Sequence, residues 1–135
     1  MGTTVAPNAP LASRTAPRVV VVDDRHDRRQ VMSHMITSSG SDIGVVGFAE
    51  DPASAVDAIE RLHATAAIIE IQLPVEVGLK TVAALRGRYP DLRIIVCTFH
   101  QDHATRTAAL ATGADAYLGK PLSRRELFAA LAPTP

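Results

Sequence analysis

The sequence has a single cysteine, Cys97, no tryptophan, and only two lysines, Lys80 and Lys120, among 14 basic residues. One thiol excludes an internal disulfide and fits a reducing cytoplasm. No apolar run approaches the ~18–20 residues of a membrane span. The start, MGTTVAPNAPLASRTAPR, has neither the charged opening nor the apolar middle of a signal peptide. Basic and acidic residues balance at 14 each, so there is no net positive footprint for nucleic acid or an anionic membrane. The remaining basic residues are all arginine, which with the abundant alanine matches a GC-rich bacterial genome.

What is present is enough for one folded unit. At 135 residues and 47% hydrophobic, a chain can bury roughly two-thirds of its unfolded surface. Residues 1–17, with three prolines among small polar residues, read as a flexible leader. Residues 18–133 then alternate two textures. RVVVVD (18–23), DIGVVGFAE (42–50), AAIIEI (66–71), LRIIVCTF (92–99) and DAYLG (115–119) read as strands, the first without polar alternation until it ends in acid. Helices are expected between and after them, at 26–40, 51–64, 77–90, 101–113 and 123–132. In the first helix Val31, Met35 and Ile36 are spaced for one face, with Gly40 as the stop. In the second, Asp51 can cap, Pro52 sits in the first turn, and Ala55, Ile59 and Leu62 make the stripe. In the last, Ser123 and Glu126 stand at capping-box spacing. Alternating strands and helices predict an α/β fold: a doubly wound parallel sheet with helices on both faces and right-handed crossovers.

In such a sheet, chemistry gathers outside the carboxyl ends of the strands. That rule selects Asp23 and Asp24 after the first strand, Glu70 at the third, Cys97 and Thr98 at the fourth, and Gly119, Lys120 and Pro121 at the fifth. Two or three carboxylates with a backbone carbonyl suit Mg²⁺. A lysine and a threonine hydroxyl beside them would neutralise and hydrogen-bond a phosphoryl group.

VVVVDDRHDRR, IIEIQLPVEVG, IIVCT and GADAYLGKP, in this order and spacing, resemble the receiver domain of two-component response regulators across about 18–132. The resemblance implies a five-stranded flavodoxin-like (βα)5 fold with strand order 2-1-3-4-5. It implies Mg²⁺ on Asp23, Asp24 and the acceptor position, with Gln72 offering its backbone carbonyl. Thr98, Tyr117 and Lys120 would form the switch and phosphoryl-binding set, with Pro121 joined to Lys120 by a cis bond. It implies signalling, not catalysis: a histidine kinase, an effector domain or a second copy as partner. The face of the fourth helix, fifth strand and fifth helix would make the contact, through Arg106, Ala111, Tyr117, Arg124 and Arg125.

The departure is at the phosphoacceptor, where the family has Asp four residues before Pro74 and eight before Gly78. Glu70 stands there, its carboxylate one methylene further out, and in-line transfer depends on placement at the ångström scale. A glutamate also carries one negative charge where a phosphoryl group carries nearly two. The expectation is an atypical receiver, independent of phosphate or fixed in a phosphomimetic state, standing alone or cut from a longer protein. Glutamate is also the change an experimenter makes to mimic phosphorylation, so the alternative is a Mg²⁺-binding, phosphorylatable receiver with an engineered residue. Phe99, where the family has a small residue, either covers the site or packs on the fourth helix. His100 and His103 read as exposed histidines opening a helix, and Cys97 as core.

Other classes fit less well. Aspartate-nucleophile phosphatases need a second acid two residues after the first, which neither Asp23-Asp24-Arg25 nor Glu70-Ile71-Gln72 supplies. DRH at 24–26 begins like a cobalamin motif, but Arg29 occupies its glycine place. DDRHDRR would set acids against a flavin phosphate, and no Gly-x-Gly-x-x-Gly is present for a dinucleotide. No helix-turn-helix remains for DNA once the five helices are assigned.

Overall fold

The computed structural model describes residues 16–38, 40 and 42–132; the expected leader up to residue 15, and residue 133, lie outside them. The chain runs β1 (Arg18–Val22), α1 (His26–Thr37), β2 (Gly44–Ala49), α2 (Pro52–Leu62), β3 (Ala66–Glu70), α3 (Val75–Arg88), β4 (Arg93–Thr98), α4 (His103–Thr112), β5 (Ala116–Gly119) and α5 (Arg124–Leu131). The strands form one sheet in the order β2-β1-β3-β4-β5, all pairs parallel. This is the doubly wound, flavodoxin-like architecture expected.

Period-two alternation divides the strand side chains between two cores. Val20, Val22, Ala67, Ile69, Ile94 and Val96 face α2, α3 and α4, meeting Ala55, Ile59, Val82, Leu85 and Ala109. Val19, Val21, Ile68, Ile95 and Cys97 face α1 and α5, meeting Met32, Ile36, Leu127 and Leu131. Because β1, β3 and β4 are covered on both sides, their sequences are continuous apolar runs.

α1 differs from expectation. Met32 and Ile36 are its buried residues, while Val31 is 65% exposed, and the helix ends at Thr37, ahead of Gly40. The inward face begins with Arg28, four residues before Met32, so a charge interrupts the stripe that apolar spacing would trace. α2 follows expectation, with Asp51 accepting from Ser54 N at 2.8 Å and Ser54 Oγ accepting in return from Asp51 N. In α5, Ser123 Oγ accepts from Glu126 N at 3.0 Å.

Register brings the chemistry together. Val22 lies beside Ile69, Glu70 beside Cys97, and Thr98 beside Gly119. The β3–α3 connection turns through Pro74 and returns α3 close to the strand: a Cβ on Gly78 would lie 2.6 Å from the Ile71 side chain and 3.3 Å from its Cα. Glycine is required there for close approach. Replacing the α2 cap, Asp51→Ala, should lower stability by about 1 kcal/mol, read as a lower urea midpoint with unchanged slope.

Candidate functional site

The acids at the end of β1 have different surroundings. The Asp23 side chain is 4% exposed and the Asp24 side chain 66%. Asp23 Oδ1 accepts from Arg25 N at 2.9 Å, which ties the carboxylate to the start of α1. Arg28, in the first turn of that helix, grips the same carboxylate: Nη2 donates to Oδ1 at 2.8 Å and Nε to Oδ2 at 2.9 Å. Nη2 also reaches Asp24 Oδ1 at 3.3 Å. Asp24 Oδ1 accepts a further bond from Gln72 Nε2 at 3.0 Å. A buried carboxylate needs such a partner, and a fork of two N–H bonds is the strongest form it takes.

At the end of β3, Glu70 Oε1 forms an ion pair with Lys120 Nζ, the two side chains 7% and 14% exposed. Burial lifts the Glu70 carboxyl above its ordinary range, and the pull of Lys120 in the other direction is smaller. Lys120 Nζ also lies 5.5 Å from the centroid of the Phe99 ring, which is itself 67% exposed. The backbone fixes the lysine further: Lys120 N donates to Thr98 O at 2.8 Å, Gln101 Nε2 donates to Lys120 O at 3.1 Å, and the Lys120–Pro121 bond is cis, as is Leu73–Pro74.

Thr98 is fully buried, and its hydroxyl donates to Ile71 O at 2.6 Å and accepts from His100 N at 3.0 Å. It therefore holds the β3 and β4 ends together. Tyr117 is also buried, with its hydroxyl donating to His100 O. Arg106 lies over the ring, 5.8 Å from the centroid. Thr98 and Tyr117 thus hold the same residue, His100, one by its backbone N–H and the other by its carbonyl.

Of the expected partner surface, Arg106, Ala111, Arg124 and Arg125 are exposed. The Arg124 guanidinium bonds Met35 O at 3.2 Å and Ser38 Oγ at 2.8 Å, closing the carbonyl end of α1 onto α5. Unpaired carbonyls at a helix end attract such a cation, so Arg124, though exposed, also ties α5 to the end of α1. His103 opens α4 and is exposed, whereas His100 is half-buried. Cys97 is core, its thiol pushed up to about 12 by burial.

The edge therefore combines an acidic pair, a lysine and a buried hydroxyl–aromatic couple on a flavodoxin-like sheet, the layout of a phosphoryl-signalling module. The chain belongs to the response regulator receiver domain family, whose description it matches over residues 19–132. It is 33% identical over 112 residues to the response regulator MprA of Mycobacterium tuberculosis, covering 83% of this chain and 47% of that protein. It is 28% identical over 114 residues to the transcriptional regulatory protein DegU of Brevibacillus brevis, covering 84% and 48%. The chain spans about half the length of these curated relatives. Among solved structures it is similar to the response regulator domain of Thermotoga maritima CheB, with TM-score 0.74 and 28% identity over 89% of this chain and 99% of that one. It is equally similar to the signal receiver domain of a putative response regulator NarL from Mycobacterium tuberculosis, with TM-score 0.74 and 30% identity over 87% and 98%.

Receiver domains typically bind Mg²⁺, and a CheX–CheY–BeF3–Mg complex from Borrelia burgdorferi shares the fold at TM-score 0.76. The residues here do not fit that ion. Among the described residues no group of three or more His, Cys, Asp or Glu side chains is placed to hold a metal. Of the expected set, Asp23 and Asp24 share the Arg28 guanidinium and Glu70 turns to Lys120. The spacing in DDRHDRR placed the acids correctly but gave no sign that an arginine five residues on would reach back across both.

Because burial raises Glu70, its contribution to stability is greatest below its unfolded range near 4.5 and is lost as pH rises through the higher folded value. The stability of wild type minus that of Glu70→Gln should therefore fall as pH rises from about 4.5, measured by urea unfolding at a series of pH values; a difference that grows with pH would contradict this. The Cys97 thiol should stay unmodified by a thiol reagent at pH 8 in the folded protein and react once urea unfolds it.

Proposed function

We propose that this receiver signals without accepting a phosphoryl group, Glu70 holding the site in one setting where relatives switch between two. The observation that carries this reading is the buried Glu70–Lys120 ion pair. A lysine at the end of β5 is the group that would neutralise phosphoryl oxygens. Here a carboxylate of the chain itself lies against it. An incoming phosphoryl donor would have to displace Lys120 from Glu70. The carboxylate it would have to use is also one methylene further from the strand than the family's aspartate.

Response regulators interact with histidine kinases and effector domains, and receiver domains are signalling modules. For this chain, of which residues 18–133 are the receiver, we infer a non-enzymatic role in the cytoplasm exerted through protein contact. The partner is a kinase, an effector domain or a second copy. The contact surface is the face of α4, β5 and α5, where Arg106, Ala111 and Arg125 are exposed and Tyr117 is held inward by His100. A receiver that reads out one conformation needs Tyr117 fixed, and its hydroxyl bond to the β4–α4 loop supplies that.

Incubation with a small-molecule phosphodonor and Mg²⁺, followed by intact-mass analysis beside a receiver known to be phosphorylated, tests the proposal. Wild type should show no added mass, and a labile phosphoryl adduct at residue 70 would overturn it.

A further inference from the structure

We propose that Arg28 is the built-in cation of this site and that it excludes divalent metal from the Asp23–Asp24 pair. The inference concerns α1 and the end of β1, and stands whether or not Glu70 accepts phosphate.

Asp23 has little left to offer an ion. Its Oδ1 accepts from Arg25 N at 2.9 Å, from Arg28 Nη2 at 2.8 Å and from Arg28 Nε at 3.2 Å, while Oδ2 accepts from Arg28 Nε at 2.9 Å. The same guanidinium reaches Asp24 Oδ1 at 3.3 Å. One planar fork thus bridges both acids, the position a divalent ion would take between them. Mg²⁺ demands near-octahedral oxygen ligands and keeps several waters. The space enclosed among Asp23, Arg28, Glu70 and Lys120 is about 10 Å³, at most the room one water needs.

The neighbouring cleft, about 180 Å³, is lined by Asp23, Asp24, Glu50 and Glu70. Each of these acids already has a cation: Arg28 for the first two, Arg29 Nη1 at 3.8 Å for Glu50, and Lys120 for Glu70. A metal entering from this side meets four carboxylates already paired with three cations, whose charges repel it.

Arg28 is also held where it acts. Asp23 accepts the Arg25 N–H as α1 begins, and the first turn then carries residue 28 back over the carboxylate. An arginine stays charged throughout the accessible pH range, so the cation itself is never lost from the site. An apolar residue at this place would leave Asp23 buried with one backbone donor and a vacant side that a divalent ion could fill.

The test compares wild type with Arg28→Met by Mn²⁺ titration, read by loss of the free-ion electron paramagnetic resonance signal, and by thermal unfolding in MgCl₂ against NaCl of matched ionic strength. Wild type should show no saturable Mn²⁺ binding at millimolar metal and no Mg²⁺-specific rise in Tm. Arg28→Met should bind Mn²⁺ about ten- to a hundred-fold more tightly than wild type, with a Tm that climbs with Mg²⁺. If Arg28→Met does not fold, Arg28→Lys decides, since a single ammonium cannot bridge both acids as a fork does; it too should bind Mn²⁺ more tightly than wild type. Saturable binding by wild type equal to that of the variant, or no binding by any folded variant, would overturn the proposal.

Discussion

Lys120 emerges from the end of β5 into a place where its charge has to be matched, and most of the carboxyl edge is arranged around that requirement. Its backbone N–H is fixed by Thr98 and its carbonyl by Gln101. Its ammonium is therefore delivered to one spot between the Glu70 carboxylate and the Phe99 ring. Neither partner is free to leave without exposing a half-buried charge, and breaking one side of a buried pair is far more destabilising than the pair is stabilising. Burial raises Glu70 despite the lysine beside it, so this ion pair defines a conformation more than it strengthens the fold.

The same principle governs the other end of the edge. Asp23 is buried at the end of β1 and is matched by Arg28, and Glu50 at the end of β2 lies near Arg29. Relatives of this family meet such acids with ions and phosphoryl groups that come and go. Here the cations are side chains on α1 and β5, present in every copy of the protein. The hydroxyl–aromatic couple is correspondingly settled: Thr98 bonds backbone at Ile71, and Tyr117 bonds backbone at His100. Under the proposed function, the consequence for signalling would be a surface on α4, β5 and α5 presented continuously.

Much of this architecture was legible in the sequence, for reasons that can be assigned. VVVV and AAII are buried on both faces of a parallel sheet and so carry no alternation, and Asp51-Pro52 and Ser123-x-x-Glu126 mark helix starts by capping chemistry that the structure shows. The strand-end rule placed Asp23, Asp24, Glu70, Thr98 and Lys120 on one edge because sheet register aligns those ends. α1 was harder. Its inward face runs Arg28, Met32, Ile36, and an arginine on that face breaks apolar periodicity, which pointed to Val31 instead. Arg28 was invisible as a site residue for the same reason: spacing in a sequence records which residues share a face, not which carboxylate a guanidinium selects. Arg124 likewise gave no sign in the sequence that its guanidinium would also bond the carbonyl end of α1.

The most direct measurement of whether this edge is already filled by its own side chains is a nuclear magnetic resonance titration with beryllofluoride, a phosphoryl mimic, in the presence of Mg²⁺. A site closed by Glu70, Lys120 and Arg28 predicts no saturable change in the amide resonances of Thr98, Tyr117 and Lys120 beyond that caused by fluoride and salt alone. Saturable, coupled shifts at those three residues would contradict it, because they would mean that Lys120 can leave Glu70 for an external anion and carry the switch with it.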